Sequence, residues 1–162
     1  MNQSLTLSLL IAVPLAIGSV STTTNAKAAT WHPGTPTALQ GHWRNKTVNI
    51  GKYFGMKKLY SHESVHVKNN RIDASLTQSA GWHLTNTKWR KINNHAYTIK
   101  GKNALNELHT GRFTFNKVSG KQVKIYYDGF NIAKGTPFSP YFYRVAKKSL
   151  TTIYPHRPNL FK

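Results

Sequence analysis

The chain has 162 residues, a length that fits one domain able to bury a hydrophobic core without disulfide or metal cross-links. It holds 23 lysines and arginines against four acids, and the resulting formal charge of +19 favours anionic partners. Because the chain has no cysteine, disulfides, thiolate metal sites and thiol nucleophiles are excluded.

The first 28 residues have the pattern of an export signal. Residues 5–20 are almost entirely apolar, but they are too few and too interrupted for a membrane span. A small polar stretch follows and ends in Ala26-Lys27-Ala28, the Ala-x-Ala pattern that signal peptidase accepts. We therefore expect cleavage after Ala28 and a secreted or wall-associated chain of charge +18, which is 19 less the charge of Lys27. An uncleaved anchor is the alternative.

Residues 29–147 are predicted to form one β-rich domain, because short runs of alternating apolar and polar residues recur there. β-Branched and aromatic side chains fill these runs, as a half-buried pleated surface prefers. In chain order, the runs are Val65–Val67, Ile72–Leu76, Tyr97–Ile99, Phe113–Phe115, Val123–Tyr127 and Tyr141–Val145. The basic, proline-containing tail 148–162 is expected to add little to the core.

Turn signals connect some of these runs. The clearest predicted hairpin joins Arg112–Val118 to Gln122–Tyr127 through Ser119–Lys121, whose glycine can supply a positive φ. Asp128-Gly129 is a second strong turn signal.

One short helix is expected among the strands. It covers Asn103–His109, where Leu105 and Leu108 lie at helical spacing. Many short strands with regular turns are typical of an all-β sandwich or barrel.

The start of the mature chain resembles known exported proteins. Residues 31–43 read Trp-His-Pro-Gly-Thr-Pro-Thr-Ala-Leu-Gln-Gly-His-Trp. This stretch resembles the opening of a group of small exported proteins of lactic acid bacteria.

Gly41 and Trp43 also form a Gly-x-Trp pattern that resembles the first signature of lipocalins. The resemblance implies a short helical turn that closes one end of the barrel before Gly-x-Trp begins the first strand. It also implies that an arginine of the last strand, Arg144 here, packs over the Trp43 ring, a contact that a cation–π attraction would stabilise. The middle Thr-Asp-Tyr motif of that family is absent. We expect a small antiparallel, lipocalin-like β-barrel, with another small barrel or a sandwich as the alternative.

His62, Glu63 and His66 form the motif His-Glu-x-x-His, which on a helix presents two zinc ligands and a general base. The alternating residues here predict a strand instead, and about 3.3 Å per residue would separate the two histidines by roughly 13 Å. Two zinc–nitrogen bonds of about 2 Å cannot bridge that distance. Ile72 stands where a third histidine ligand would follow, and Asn69-Asn70 signals a turn. A zinc peptidase is therefore a minor alternative, and no metal or other cofactor is predicted.

Other catalytic patterns are missing from the sequence. It contains no Gly-x-Ser-x-Gly elbow and no glycine-rich phosphate loop. Its four acids form no recognisable pair for glycoside hydrolysis. We expect a protein that is not an enzyme.

The candidate binding residues are Trp82, Lys88, Trp89, Arg90 and Lys91. Aromatic rings beside cations can stack on sugars or bases while the cations hold phosphates. The alternative is that the rings belong to the core and the cations to a solvated face. No signature of a specific nucleic-acid-binding module is present.

Histidines add to the charge as the pH falls. All eight follow residue 28, so full protonation would raise the mature charge from +18 to +26. We therefore expect attachment to anionic wall polymers, or to another acidic surface, that strengthens in acid. The alternative function is a carrier that encloses a small apolar ligand inside the barrel.

Overall fold

Eight antiparallel strands close into a barrel in the structure, a computed structural model that describes residues 30–77, 80–146, 153–154 and 156. Each barrel strand pairs with the next barrel strand along the chain, and the last pairs with the first. The barrel strands are β2 (Gly41–Arg44), β5 (Ser64–Lys68), β6 (Arg71–Ser75), β7 (Trp82–Asn93), β8 (Ala96–Asn103), β9 (Asn106–Ser119), β10 (Gln122–Tyr127) and β12 (Tyr141–Val145). This up-and-down order is the lipocalin-like arrangement that the sequence predicts.

Five shorter strands lie outside this circle. β1 (His32–Pro33) pairs with β7, and β11 (Phe130–Asn131) pairs with β10. β3 (Val48–Asn49), β4 (Tyr60–Ser61) and β13 (Ile153–Tyr154) form a separate small sheet. β13 belongs to the predicted tail, most of which lies outside the described residues, as does the predicted export signal. In the part of the chain that the structure covers, no helix has the length and apolar content needed to cross a bilayer.

Apolar side chains fill the barrel interior, because alternate residues of each strand point inward. The innermost side chains, none more than 1% exposed, are Trp43, Val65, Val67, Ile72, Ala74, Leu84, Ile99, Phe113, Phe115, Val123, Ile125 and Phe142. On β12 the buried residue is Phe142, whereas Tyr141 and Tyr143 on either side of it are half-buried. The alternation of Tyr141, Tyr143 and Val145 predicts that these three face inward, but Phe142 does so instead, because aromatic residues stand on both faces of this strand.

The predicted hairpin between β9 and β10 is confirmed, but Gly120 does not adopt the positive φ expected for its turn. Ser119 pairs with Gln122, so Gly120 and Lys121 form the turn. The predicted turn at Asp128-Gly129 is also present, with positive φ at both residues, and it leads into β11.

The helix predicted over Asn103–His109 is wrong. β8 ends at Asn103 and β9 begins at Asn106, and the Oδ1 of Asn103 accepts a hydrogen bond from the backbone N–H of Leu105 at 2.9 Å to close a turn. Pairing between β8 and β9 satisfies backbone groups that a helix would otherwise use. Leu105 and Leu108 are 62% and 94% exposed, so their helical spacing has no apolar surface to cover.

The Gly-x-Trp signature closes one end of the barrel. A 3₁₀ turn, Thr37–Leu39, precedes β2, and the indole N–H of Trp43 donates to the carbonyl of Leu39 at 2.8 Å. Gly41 has a φ of 123°, which favours glycine at the point where the chain enters the barrel wall.

Arg144 fastens the last strand to the first at this end. It lies opposite Trp43 in the pairing of β12 with β2, and its guanidinium carbon is 4.5 Å from the centre of a Trp43 ring. Its Nη1 donates to the carbonyl of Gln40 at 2.7 Å, and its Nη2 donates to the carbonyl of Ala38. The contact that the lipocalin resemblance implies is therefore present.

We expect Arg144→Ala to lower the free energy of unfolding by about 2 kcal/mol, because the variant loses two carbonyl hydrogen bonds and a cation–π contact. Arg144→Lys keeps the charge without the planar fork and should lose less. Urea unfolding followed by tryptophan fluorescence measures both variants. A loss below about 0.5 kcal/mol for Arg144→Ala would contradict this role for Arg144.

Candidate functional site

Three cations stand directly opposite one another on the outer face of the barrel. Lys88 on β7 pairs with Lys100 on β8, and Lys100 pairs with Arg112 on β9. Neighbouring strands lie about 4.8 Å apart, so these three side chains form a compact row, which we call the cationic ladder. Like charges directly opposite each other destabilise a sheet.

Trp31 packs against this ladder from the segment before β1. The Nζ of Lys100 lies 4.3 Å from the centre of a Trp31 ring, and the guanidinium carbon of Arg90 lies 5.0 Å from it. Trp31 is half-buried, and Arg90 is the outward residue two positions along β7 from Lys88. The arrangement places an aromatic ring between Arg90 and Lys100, of which Lys100 belongs to the ladder.

Carboxylates do not neutralise the ladder within the part of the chain that the structure describes. The salt bridges found there all involve Asp73 on β6, whose partners are Lys68, Arg71 and His83. Lys88 and Arg112 are exposed to solvent, and Lys100 is half-buried beside Trp31.

The predicted binding cations divide between this surface and another part of β7. Lys88 and Arg90 are both at the ladder. Lys91 is exposed, but its Nζ donates to Asn94 at 3.1 Å, beside the turn between β7 and β8.

The two predicted binding tryptophans pack against the core instead of joining these cations. Trp89 is half-buried and contacts His32 and Tyr97, with ring centres 4.7 and 5.8 Å away. Trp82 is also half-buried and stacks on Tyr127 at 4.8 Å.

A glycine makes room for the Tyr127 side chain. A Cβ atom at Gly111 would lie only 2.5 Å from the Tyr127 hydroxyl and 2.7 Å from a methyl group of Leu84. Tyr127 also meets Phe113 edge to face at 5.0 Å. Aromatic packing therefore continues from the interior out to Trp82.

Sequence reasoning missed Trp31, Lys100 and Arg112 as members of the binding surface. Lys100 and Arg112 are neighbours of Ile99 and Phe113, which alternation places inside, so the sequence could predict that both cations face outward. The sequence could not predict that they lie opposite each other, because the connection between β8 and β9 was expected to be helical. Trp31 comes from a segment that pairs with β7 only through the tertiary fold.

A second polar row crosses a different part of the outer face. His42 on β2 lies opposite His66 on β5, His66 lies opposite Asp73 on β6, and Asp73 lies opposite His83 on β7. We call these four residues the histidine row. The rings of His42 and His66 are stacked, with centres 3.9 Å apart.

Asp73 is the acidic member of this row. Burial raises the pKa of Asp73, but hydrogen bonds from His83, Arg71 and Lys68 outweigh it and lower the pKa to about 2. The His83 Nδ1 and the Asp73 carboxylate are 2.9 Å apart, and Arg71 Nε donates to the same carboxylate oxygen at 2.6 Å. Asp73 therefore remains ionised over the whole range in which histidines titrate.

The His-Glu-x-x-His residues do not lie on a helix. His66 is on β5, as the alternation predicts, and it faces outward against His42. His62 is fully buried in the short link between β4 and β5, with its ring centre 6.2 Å from that of Tyr154. No group of three or more potential metal ligands comes together among the residues that the structure places.

Glu63 is a buried acid held by Asn45. The backbone N–H of Glu63 donates to Asn45 Oδ1 at 2.7 Å, its carbonyl accepts from the Asn45 N–H at 3.1 Å, and its carboxylate accepts from Asn45 Nδ2 at 3.3 Å. Burial raises the pKa of Glu63 to about 7, although the hydrogen bond from Asn45 lowers it. Asn45 Nδ2 also approaches the carbonyl of Ser139 at 3.5 Å, so this asparagine joins three segments at one end of the barrel.

The raised pKa of Glu63 predicts that part of the stability disappears as the pH rises. The folded pKa of about 7 exceeds the reference value of 4.5, so the contribution is complete below pH 4.5 and is lost as the pH rises through 7. The difference between the two pKa values corresponds to a decrease in the free energy of unfolding on the order of 3 kcal/mol.

Urea unfolding at several pH values measures this slope, and Glu63→Gln should flatten it. Asp128→Asn removes an exposed acid and is the matched control, which should keep the slope. Equal slopes in Glu63→Gln and the unmodified protein would contradict the assignment to Glu63.

Comparisons of the chain with protein-family models, with curated proteins and with solved structures gave no match.

Proposed function

We propose that the mature chain is an exported, non-catalytic protein that binds anionic polymers of the cell envelope through the cationic ladder and Trp31. The observation that carries the proposal is the ladder itself. Lys88, Lys100 and Arg112 repel one another in a single cross-strand row, and no carboxylate of the described chain bridges to them. A bound polyanion would relieve that repulsion.

The dimensions of the ladder suit an extended polymer. Three adjacent strands place the outer cations roughly 10 Å apart, so one extended chain can contact several of them through successive charges. Trp31 adds a ring among these cations, and such a ring can pack on a sugar or another planar group of the polymer.

The filled interior supports a site on the outer surface over a carrier function. A carrier would need room for a ligand inside the barrel, but apolar side chains from all eight strands meet there and are almost completely buried. Trp82 at the start of β7 stacks on Tyr127 at the end of β10 and continues this packing.

Sedimentation with purified bacterial cell walls tests the proposal. We expect Lys88→Gln/Lys100→Gln/Arg112→Gln to bind walls about tenfold more weakly, because three charge contacts of a few tenths to one kcal/mol each are lost. Binding of the unmodified protein should fall as salt rises, and it should fall on walls whose phosphodiester-linked polymers have been removed by acid extraction.

The matched control is Lys52→Gln/Lys57→Gln/Lys58→Gln, which removes the same charge from exposed positions between β3 and β4. This variant should bind nearly as well as the unmodified protein. If both triple variants lose equal affinity, net charge alone drives binding, and the ladder is not the site. Binding that ignores salt would also reject the proposal.

A further inference from the structure

Two histidines stack on each other on the outer face of the barrel. His42 and His66 come from different strands, and both are half-buried on the outer face with ring centres 3.9 Å apart. Imidazoles gain a proton between about pH 8 and pH 5. Two protonated rings at this distance repel each other, so a second proton is harder to add than the first.

The strands on either side of the pair are already rich in cations. Next to His66, β5 presents Lys68 and β6 presents Arg71, whose side chains are 46% and 44% exposed. Arg44, two residues after His42 on β2, is buried and only 4% exposed, and Val145 lies opposite His42 on β12.

The carboxylate of the row is already shared. Asp73, opposite His66, contacts Lys68, Arg71 and His83, and His83 completes the row on β7. Protonation of the pair therefore adds positive charge to a face on which one carboxylate serves three basic groups.

The geometry points to an acid-dependent polyanion site on the outer wall formed by β2, β5 and β6, where protonated His42 and His66 act together with Lys68 and Arg71. A multivalent anion on this wall favours the doubly protonated pair. By thermodynamic linkage, protonation then strengthens anion binding by the same factor. The ligand is a polymer of closely spaced phosphate groups, because such a chain presents several charges to neighbouring cations at once.

This inference deepens the proposed function, because it assigns the strengthening of binding in acid to two of the eight histidines. The ladder carries a permanent charge and binds at neutral pH. The histidine row adds a second site in acid, and His83 connects its β7 end to the strand that also carries Lys88 and Arg90.

Long-chain inorganic polyphosphate is the probe that tests this site. Affinity is measured by fluorescence anisotropy at about pH 7.5 and about pH 5.5, on either side of the ordinary histidine range. We expect the unmodified protein to bind about tenfold more tightly at the lower pH, and His42→Gln/His66→Gln to lose most of that gain. His95→Gln/His156→Gln removes two exposed histidines outside the row and should keep the gain. Equal gains in the two double variants would overturn the inference.

Histidine C2–H resonances give a second, direct measurement on the unmodified protein. Polyphosphate should shift the titration midpoints of His42 and His66 to higher pH and leave the midpoint of His95 unchanged. Unchanged midpoints for the stacked pair would overturn the inference even if the double variant failed to fold.

The ladder variant separates this inference from the proposed function. Lys88→Gln/Lys100→Gln/Arg112→Gln should lose polyphosphate binding at neutral pH and keep a gain in acid. If the acid gain disappears in that variant but persists in His42→Gln/His66→Gln, the ladder alone binds polyanions and the histidine row does not. If the unmodified protein binds only in acid, the proposed function of the ladder fails and the histidine site stands.

Discussion

Barrel closure between β2 and β12 is the constraint on which the other features depend. β2 has four residues and β12 has five, so the two strands share few backbone hydrogen bonds. The guanidinium of Arg144 over the Trp43 ring adds a side-chain contact between them. Closure removes free sheet edges from the barrel and fixes which face of each strand looks inward. Once the inner faces meet in the core, every intervening side chain is committed to the outside.

The cationic ladder and the histidine row therefore lie on the outer surface of the barrel. Two cross-strand rows with different electrostatic character occupy that surface. The cationic ladder has no acidic partner in the described chain, whereas the histidine row is organised around Asp73. The difference arises from a single position, because Asp73 is the carboxylate at which the described salt bridges meet. With so few acids in the chain, the location of each one decides where positive charge remains uncompensated.

Alternation predicted six of the eight barrel strands, because it is a local property that a closed barrel preserves. The lipocalin resemblance predicted β2, whereas β7 was not predicted, since a register shift between Thr85 and Lys88 interrupts its alternation. The same resemblance also predicted the Arg144–Trp43 contact. The sequence could not predict register, since sliding β8 past β9 by two residues keeps every side chain on its face but separates Lys100 from Arg112. The helix expected at Asn103–His109 failed for a related reason. The spacing of two leucines indicated an apolar stripe, but the strands on either side of them continue their pairing almost to the turn. The exposure of Trp82 and Trp89 was inferred from their polar neighbours in sequence, but each ring packs on a tyrosine of another strand, Tyr127 on β10 for Trp82 and Tyr97 on β8 for Trp89.

Asn45 limits where the long connections at its end of the barrel can accept insertions. Its side chain contacts Glu63, which ends the connection after β2, and the carbonyl of Ser139, which precedes β12. Both connections thus have a fixed anchor near the barrel rim, and insertions close to those anchors would pull all three segments out of place. The exposed stretch from Gly55 to Lys58 lies away from the anchors, and a Cβ atom at Gly55 would meet nothing within 4 Å. A foreign peptide or affinity label grafted there would be displayed without disturbing the rim, which makes this loop a suitable attachment point for detection reagents.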